Sequence, residues 1–514
     1  RNAAIGVSAR RSYIDGVRWI QRQNGGAAED VLLIPTYWDW QLKLDWDVTA
    51  GHELVLFAFG SGDREFYVRD GSGAATPYEE IRDSDFARLG LRYSHILGDG
   101  LSHSLTPMIG FERRLKDVQA GLERQSRDTF EAQLRDELTW RDEQSRVVIG
   151  VDATTQVDLV SFGGLSALPP VWQLPIVDTE GAVRDLHHNA TLPRATLGMY
   201  GEGTFTPLEG LSFTPGLRLD AYWVNDEPTL SVEPRVAGSY QVLDGAYGFT
   251  VRAGGGVFAS PPSPEDTAAA ARFGRRLESS RALHLQGGFE QLLGNAGAFS
   301  TTLFAVERDH VPLRVPSFPS SPEPFASPIA ATGSAQSRGV EVLLRLQASA
   351  ETFGWASYTL ARHQLRDGRG LGAESAAYAS EVDTTHLVSF VGQTSLGAGF
   401  RFGGRYRIAT GQPYTPILGG VFDADGGRYL PVYAPRNAAR HETFQAVDLR
   451  VDWSALLPWL ELVLYADLVN AHFLLDGLLG NNATEDFIYS SDYSASSEVK
   501  GLPLIPTLGV KATF

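Results

Sequence analysis

The chain has 514 residues, a formal net charge of -17 and no cysteine, with 43% hydrophobic and 20% charged residues. The negative charge argues against nucleic acid as a partner, because phosphates require a basic surface, and without cysteine there are no disulfides or thiolate metal sites. No apolar run approaches the roughly 18 residues of a membrane helix, so a membrane form of this chain must be a closed β-barrel, whose strands satisfy every backbone group in lipid.

Alternating apolar and polar residues predict β-strands along the whole chain. In residues 41–48, four apolar side chains alternate with four polar ones, and the pattern returns in residues 88–94 and 211–220. One face of such a strand suits lipid and the other suits a watery lumen. The polar face carries charges that either solvate the interior or contact a plug or a solute: Lys43, Asp45, Asp47, Arg88, Arg92, Arg218 and Asp220.

The connections between these stretches alternate between short and long, as a transmembrane barrel requires. Short turns, expected to face the periplasm, are predicted near Ala50–Gly51, Gly98–Gly100, Pro207–Gly210 and Gly294–Asn295. Long polar connections, expected to be extracellular loops, are Ser161–Arg184, Ser260–Leu277, Pro312–Ala335, Asp367–Val382, Gln412–Arg440 and Leu474–Lys500. The chain is therefore predicted to be all-β, with about 20 antiparallel strands. A soluble β-sandwich also alternates, but it expects a turn about every 8–12 residues and no systematic long loops.

Aromatic residues recur near the predicted strand ends, as in the interfacial girdles of membrane barrels. They are Tyr37, Trp38, Trp40, Tyr222, Trp223, Tyr406 and Trp459. The alternating segment 508–514 ends the sequence on Phe514. A terminal aromatic residue on an amphipathic strand resembles the recognition signal of the outer-membrane assembly machinery, so Phe514 is a candidate assembly signal.

Several segments, in order, resemble the barrel of TonB-dependent receptors and cover nearly the whole chain. They are Ala9–Asp15, Tyr37–Leu44, Pro215–Asp220, Glu233–Arg235, Val251–Phe258, Ser337–Glu341, Thr410–Pro416, Val447–Arg450 and Leu468–Asn470. The resemblance rests on the shared order of these segments, since each of them is short.

The resemblance implies a barrel of about 22 strands in the bacterial outer membrane, in contact with outer-membrane lipid and lipopolysaccharide. It implies energised uptake of a scarce solute such as a metal chelate, vitamin, peptide or glycan, with no catalysis and no cofactor. The extracellular loops would bind the solute, a plug would gate it, and TonB with its inner-membrane motor complex would deliver energy. A surface lipoprotein is a further candidate partner.

The family carries a plug ahead of the barrel and a box that recruits TonB, and neither is visible in this sequence. About 20 predicted strands instead of about 22 also indicate that one barrel hairpin is missing upstream, because two open sheet edges are not tolerated in lipid. We therefore expect residues 1–514 to form one barrel domain, with the plug and the first hairpin on a longer precursor, a cleaved fragment or a separate chain. The alternative is a miscount, in which case the barrel closes by itself.

The family motifs are expected to have structural roles at Arg218, Asp220, Gly339, Glu341, Gly411, Pro413, Tyr414 and Pro416. Glycines allow strand bends or close backbone approach, and prolines mark the points where a strand gives way to a loop. Arg218 and Asp220 lie two residues apart, so their opposite charges share one strand face. Ligand-binding residues cannot be assigned from the sequence.

No motif predicts a metal, cofactor or catalytic site. Adjacent His187 and His188 would point to opposite faces of a strand, which disfavours a metal pair. Residues 423–427 resemble a calcium loop but lack its spacing and terminal Glu, so a turn is the better interpretation. Gly254–Gly256 has no βαβ context for a nucleotide, and no nucleophile elbow or kinase motif is present.

Two other functions remain open at the level of sequence. The barrel could serve as a structural scaffold or docking partner in an envelope assembly, with its lumen filled by another polypeptide and without TonB. A passive porin is disfavoured because porins have fewer strands.

Overall fold

The structure is a computed structural model that describes residues 3–12, 32–69, 78–118, 123–164, 188–224, 227–271, 276–314, 329–368, 377–424, 428–472, 484–490, 492–500 and 504–513. Phe514, His187 and residues 425–427 lie outside the described residues, and so do the predictions that concern them.

The described residues are almost entirely β-strand. The strands are β1 (Ala3–Arg11), β2 (Leu32–Thr49), β3 (His52–Arg69), β4 (Tyr78–Gly98), β5 (Leu101–Val118), β6 (Glu123–Arg141), β7 (Ser145–Gly164), β8 (His188–Leu208), β9 (Leu211–Val224), β10 (Glu227–Leu243), β11 (Phe249–Ser260), β12 (Ser280–Leu292), β13 (Gly297–Arg314), β14 (Ile329–Gln347), β15 (Phe353–Asp367), β16 (Tyr378–Ala379), β17 (His386–Gly397), β18 (Phe400–Ala409), β19 (Pro413–Tyr414), β20 (Ile417–Asp423), β21 (Arg428–Tyr433), β22 (Ala439–Arg440), β23 (Phe444–Leu457), β24 (Leu460–Val469), β25 (Thr484–Tyr489), β26 (Ser496–Lys500) and β27 (Ile505–Thr513). One α-helix, α1 (Pro264–Ala271), follows β11.

All the long strands belong to one 21-stranded antiparallel sheet, which also includes the two-residue β16. Each strand pairs with its neighbour in the chain from β1 to β15, and the sheet continues through β17, β18, β23, β24 and β27. The remaining short strands form the two-stranded sheets β19–β22, β20–β21 and β25–β26. This arrangement confirms the prediction of an all-β chain with about 20 antiparallel strands.

Every second connection along this sheet is a tight turn, as predicted, but the connections between these turns are not all long, since only residues 225–226 separate β9 from β10 and only residues 119–122 separate β5 from β6. Tight turns such as those at Gly51, Gly100 and Gly210 join every second pair of strands, and all three glycines have a positive φ of 73–79° that favours glycine. Because neighbouring strands are antiparallel, these turns lie at one end of the sheet and the connections between them lie at the opposite end. We call these the turn end and the loop end.

The polarity of the two faces is the reverse of that in a soluble protein: apolar side chains are exposed on one face, and charged side chains are buried on the other. On β9, Leu217 and Leu219 are 46% and 44% exposed, whereas Asp220 on the other face is 3% exposed. The second face, which α1 contacts, also buries Asp158 and Glu233. We call it the inward face and the leucine-bearing face the outward face.

The aromatic girdle is only partly as predicted. Trp38 is outward and 39% exposed, and Trp459, in the turn between β23 and β24, is 67% exposed. Tyr222 is 7% exposed, and its hydroxyl donates to Glu233 at 3.3 Å. The girdle prediction is therefore wrong for Tyr222, because this residue shares the strand parity of Arg218 and Asp220 and faces inward.

Candidate functional site: the inward face and the loop end

The inward face of β6–β9 carries a network of paired charges centred on Arg218. Its guanidinium donates to both carboxylate oxygens of Asp220, at 2.7 and 2.8 Å, and to Asp152 at 2.7 Å. Asp152 also accepts from Arg135 at 2.7 Å, and the Arg218 guanidinium lies 5.5 Å from the centre of the Tyr200 ring. The register explains this network, since Tyr200 lies opposite Arg218 and Asp152 opposite Arg135.

Other inward carboxylates are compensated in the same way. Asp158, which is 0% exposed, accepts from Arg194 at 2.8 Å and from Thr129 at 2.6 Å. On β23 and β24, Arg450 binds both Asp452 and Asp467, at 2.7 and 3.0 Å. Buried charges persist when they are paired and hydrogen-bonded. These pairs give the interior a polar and electrically balanced wall.

Helix α1 packs against the inward face, although it follows β11 at the loop end. It contacts β7 and β8 on one side and β14 on the other, and five strands lie between β8 and β14 in the sheet. Ala268 is 0% exposed and packs with Val160 and Leu192. The segment that contains α1 is therefore folded into the interior and joins two separate sectors of the wall.

An ion-pair network fastens the first turn of α1 to the wall. Glu265 accepts from Arg127 of β6 at 2.6 Å, and Arg127 also binds Glu112 of β5 at 2.8 Å. Arg88 of β4 joins the network, since its guanidinium lies 3.7 Å from Glu112 and 3.2 Å from Glu131 of β6. A charged link thus runs from the helix across three neighbouring wall strands.

At the loop end, Asp383 joins the connection after β15 to the connection after β18. Its carboxylate, 1% exposed, accepts from the backbone N–H of His363 at 2.5 Å, from Thr385 at 3.2 Å and from the Arg440 guanidinium. Asn437 donates to the carbonyl of Ala379 at 2.7 Å and forms a second link. Burial alone would raise the pKa of Asp383, but the hydrogen bonds and the charge of Arg440 hold it below its usual value.

An aromatic cluster joins the same region to the connection before β27. The Tyr414 ring centre lies 4.4 Å from that of His441 and 5.1 Å from that of Phe487. Burial raises the pKa of Tyr433, on the neighbouring β21, to about 12. The described residues of the segments 377–385, 410–443 and 484–500, which we call the loop cap, are therefore packed together by the salt bridges Asp383–Arg440 and Glu381–Arg436 and by one group of stacked rings.

Neither a metal centre nor a membrane-spanning helix is found among the residues that the structure describes. Within the ranges given above, no group of three or more His, Asp or Glu residues is placed to hold a metal ion. No helix among the described residues is long and apolar enough to cross a membrane.

A comparison with protein families shows to which family this chain belongs. The family model described as "TonB dependent receptor-like, beta-barrel" matches residues 2–470. The chain belongs to this family. This match confirms the family resemblance found in the sequence. TonB-dependent receptors are transporters and not enzymes, which confirms the expectation that the chain is not an enzyme.

Solved structures of TonB-dependent receptors have the same fold. They include the copper transporter OprC, with 14% identity and a TM-score of 0.65 over 99% of this chain and 75% of that one. The ferric-catecholate import receptor Fiu from K12 E. coli has 11% identity and a TM-score of 0.65 over 99% and 77%. The ferripyoverdine receptor of the Pseudomonas aeruginosa outer membrane has 13% identity and a TM-score of 0.63 over 99% and 67%. No curated protein matches the chain in sequence.

The eight motif residues of this receptor barrel lie on the inward face and in the loop cap. Arg218 and Asp220 are inward on β9, as described above. Gly339 and Glu341 are inward on β14, where a Cβ at Gly339 would overlap the Phe304 ring and the carbonyl of Leu360. The remaining four lie in the loop cap: Gly411, Pro413, Tyr414 and Pro416. A Cβ at Gly411 would overlap the carbonyl of His441, and Pro413 and Tyr414 pair with β22. Structural roles for these residues remain proposals.

Three features of the receptor barrel were not predicted from its sequence. They are the inward position of α1, the link from Asp383 to Arg440 and the ring cluster around His441. The segment of α1 carries a weak signal, since Ser263 precedes a run of acidic and alanine residues. The other two have none, because their partners are 57 and 27 residues apart in the chain.

Proposed function

We propose that this receptor barrel lies in the bacterial outer membrane and takes up a scarce solute, such as a metal chelate, vitamin, peptide or glycan. The inverted polarity of the sheet carries the proposal. Leu217 and Leu219 are exposed outward while Arg218 and Asp220 face inward. Such a surface is costly in water but stable in lipid, where the apolar face meets acyl chains and the charged face meets an aqueous interior.

We propose that the loop end faces outward from the cell and that the loop cap captures the solute. Long loops on a rigid scaffold commonly carry binding residues. The cap offers aromatic rings at Tyr414, His441 and Phe487, and a guanidinium at Arg440. TonB and its inner-membrane motor complex would supply the energy, and a plug would gate the lumen. A surface lipoprotein is a further partner in this proposal.

Uptake in living cells tests this function. Strains that lack the gene for the full-length protein, or that lack TonB, would be supplied with labelled iron and copper chelates, vitamins, peptides and glycans at limiting concentration. We expect both strains to lose uptake of the same solute. Uptake that continues without TonB would contradict the transporter proposal. Unchanged uptake of every solute, with loss of an envelope complex from the deletion strain, would favour the scaffold function instead.

We propose further that a plug and one additional hairpin complete the molecule. Among the described residues, β1 pairs with β2 and β27 pairs with β24, without a pairing between β1 and β27. A hairpin preserves the antiparallel alternation and, added to the 20 strands that remain when the two-residue β16 is not counted, gives about 22 strands, as in a receptor barrel.

Intact mass and N-terminal sequence of the protein from native outer membranes test this completion, together with the identity of any chain that co-purifies. We expect either a longer protein or a tightly bound second chain that carries the plug. A protein of 55.9 kDa that purifies alone would show that residues 1–514 close the barrel without help.

A further inference from the structure

An arginine cluster lies on the outward face of β14 and β15, at the point where the apolar surface ends toward the loop end. Val340 and Leu360 are directly opposite each other and are the last apolar outward pair. One step further toward the loop end, Arg338 and Arg362 are opposite each other, and Arg366 follows on β15. The side chain of Arg338 is 59% exposed, and Arg362 and Arg366 are exposed as well.

The cluster has more positive than negative charge close to it. Arg338 binds Glu307 of β13 at 3.0 Å. Within the described part of the chain, Arg362 and Arg366 have no ion pair. Like charges directly opposite each other on a sheet are destabilising, so the pairing of Arg338 with Arg362 has a cost that a bound anion would relieve.

The outward face elsewhere shows the opposite arrangement at the loop end. On β3 and β4, Arg64 lies opposite Asp83 and donates to both of its oxygens, at 2.6 and 2.7 Å. On β5 and β6, Arg113 lies opposite Asp128 and does the same, at 2.8 and 3.0 Å. In these two strand pairs, each outward arginine is neutralised by an aspartate of the neighbouring strand. On β15, in contrast, Arg362 and Arg366 have no carboxylate partner among the described residues.

We propose that Arg338, Arg362 and Arg366 bind the phosphate groups of a phosphorylated glycolipid in the outer leaflet of the membrane. Guanidinium groups bind phosphate through two parallel hydrogen bonds, and this planar geometry makes arginine a better phosphate ligand than lysine at such sites. The cluster lies at the boundary between the apolar band and the polar loop end, which is the level of lipid headgroups. The inference rests on the proposed function, because it requires the loop end to face the outer leaflet.

The surface between the cluster and the turn end suits the acyl chains of the same lipid. Below Arg362, the outward residues of β15 are Leu360, Tyr358, Ala356 and Gly354. A lipid held by its phosphates at the arginines would lay a chain over Leu360 and Tyr358, the outward residues nearest to the cluster.

Binding of purified lipid A to the full-length protein tests the proposal. Delipidated protein in detergent micelles would be titrated with bisphosphorylated lipid A and with the same lipid A after removal of its phosphates, and bound lipid would be counted by native mass spectrometry. The test variant is R362Q/R366Q. The matched control is R64Q/R113Q, which removes two outward arginines that are paired internally.

We expect bisphosphorylated lipid A to bind R362Q/R366Q about tenfold or more weakly than the native protein, because two charge-assisted contacts are lost. The control should stay within about twofold of the native protein, and dephosphorylated lipid A should bind all three proteins equally and weakly. Inorganic phosphate should compete only at far higher concentration than lipid A. Equal binding of lipid A to both double variants would overturn the proposal, and so would strong binding of the dephosphorylated lipid.

Two controls keep the result decisive. Folded protein is recognised by its shifted mobility on gels without heating, and if R362Q/R366Q does not fold, R366Q alone should still weaken binding about threefold. Membrane fractionation separates this inference from the proposed function. A protein absent from the outer membrane contradicts the proposed function, whereas an outer-membrane protein whose variants bind lipid A equally contradicts only the arginine site.

Discussion

Arg218 holds two carboxylates at once, and one of them is almost entirely buried. The side chains of Asp220 and Asp152 are 1% and 17% exposed, so the removal of Arg218 would leave two negative charges with little access to solvent. Removing one partner of a buried ion pair is far more costly than removing a partner of an exposed one. The inward face therefore depends on a few central arginines.

This dependence predicts unequal effects for two arginines that bind the same carboxylate. Arg218→Leu should lower the free energy of unfolding by about 3 kcal/mol. Arg135→Leu should cost less than about 1 kcal/mol, because Arg135 is 55% exposed and Asp152 keeps Arg218. Urea unfolding of both variants in lipid vesicles measures the difference. Equal losses would show that the network does not centre on Arg218.

Asp383 makes the loop cap sensitive to acid. Because its pKa is lowered in the folded protein, the charged carboxylate contributes stability at pH values above about 3.9, its usual value. This contribution is lost as the pH falls through the lower pKa of the folded state. Limited proteolysis between pH 7 and pH 3 should therefore show the loop cap opening at the acid end.

The variant Asp383→Asn should open the loop cap even at pH 7. The amide cannot carry the charge that Arg440 binds, so we expect a local loss of about 2 kcal/mol and faster cleavage within 410–443. Asp492→Asn is the matched control, since Asp492 also has a lowered pKa, of about 2, but contacts mainly Ser490 and Ser494 of its own turn. Equal cleavage of both variants would contradict a central role for Asp383.

At the scale of elements, α1 forms because its own residues favour a helix and because the wall covers it. Ser263 accepts from the backbone N–H of Asp266 at 3.0 Å, as an N-cap does. Glu265 and Asp266 lie in the first turn, where the helix dipole favours negative charge. Alanine has the highest helix propensity, but a helix of eight residues is unstable alone. Packing on β7, β8 and β14 supplies the rest.

The tight packing of α1 predicts a large effect of added volume. Ala268→Leu should destabilise the barrel by about 1–3 kcal/mol, because Ala268 is 0% exposed against Val160 and Leu192. Ala271→Leu, at the exposed end of the helix, should change stability by less than about 0.5 kcal/mol. The urea midpoints of the two variants measure the difference. If the helix were not packed against the wall, both substitutions would have equally small effects.

At the scale of the whole molecule, the face of the sheet that contacts lipid decides how much a surface substitution changes the stability. Leu285 and Gln286 are adjacent and exposed on opposite faces of β12. Leu285→Arg should cost about 2–4 kcal/mol in lipid vesicles, and Gln286→Arg should cost little, since only the first places a charge in lipid. Urea titrations of folding into vesicles measure both. The reverse order would mean that the sheet faces the other way.

The sequence determined the strands, their number and the character of each face. Period two is a local property, so the pattern in residues 41–48 or 211–220 can be seen without knowing any partner strand. It also predicted that Arg218 and Asp220 share a face, and the order of short segments was enough to indicate the family. The girdle prediction failed at Tyr222, although the period-two pattern of Arg218 and Asp220 already places this residue on the inward face; only its partner Glu233 on the next strand was hidden from the sequence.

Only the tertiary structure decided which side chains meet. The pairing of Arg218 with Asp152 depends on the register of β6–β9, and the contact of Asp383 with Arg440 depends on the packing of two loops. The opposition of Arg338 and Arg362 likewise depends on a register that neither strand specifies alone. Such contacts join residues that are far apart in the chain, and their free energy arises only after the loops between them have been closed. Local pattern therefore specifies strands and faces, whereas the partners of the charges emerge only in the assembled sheet.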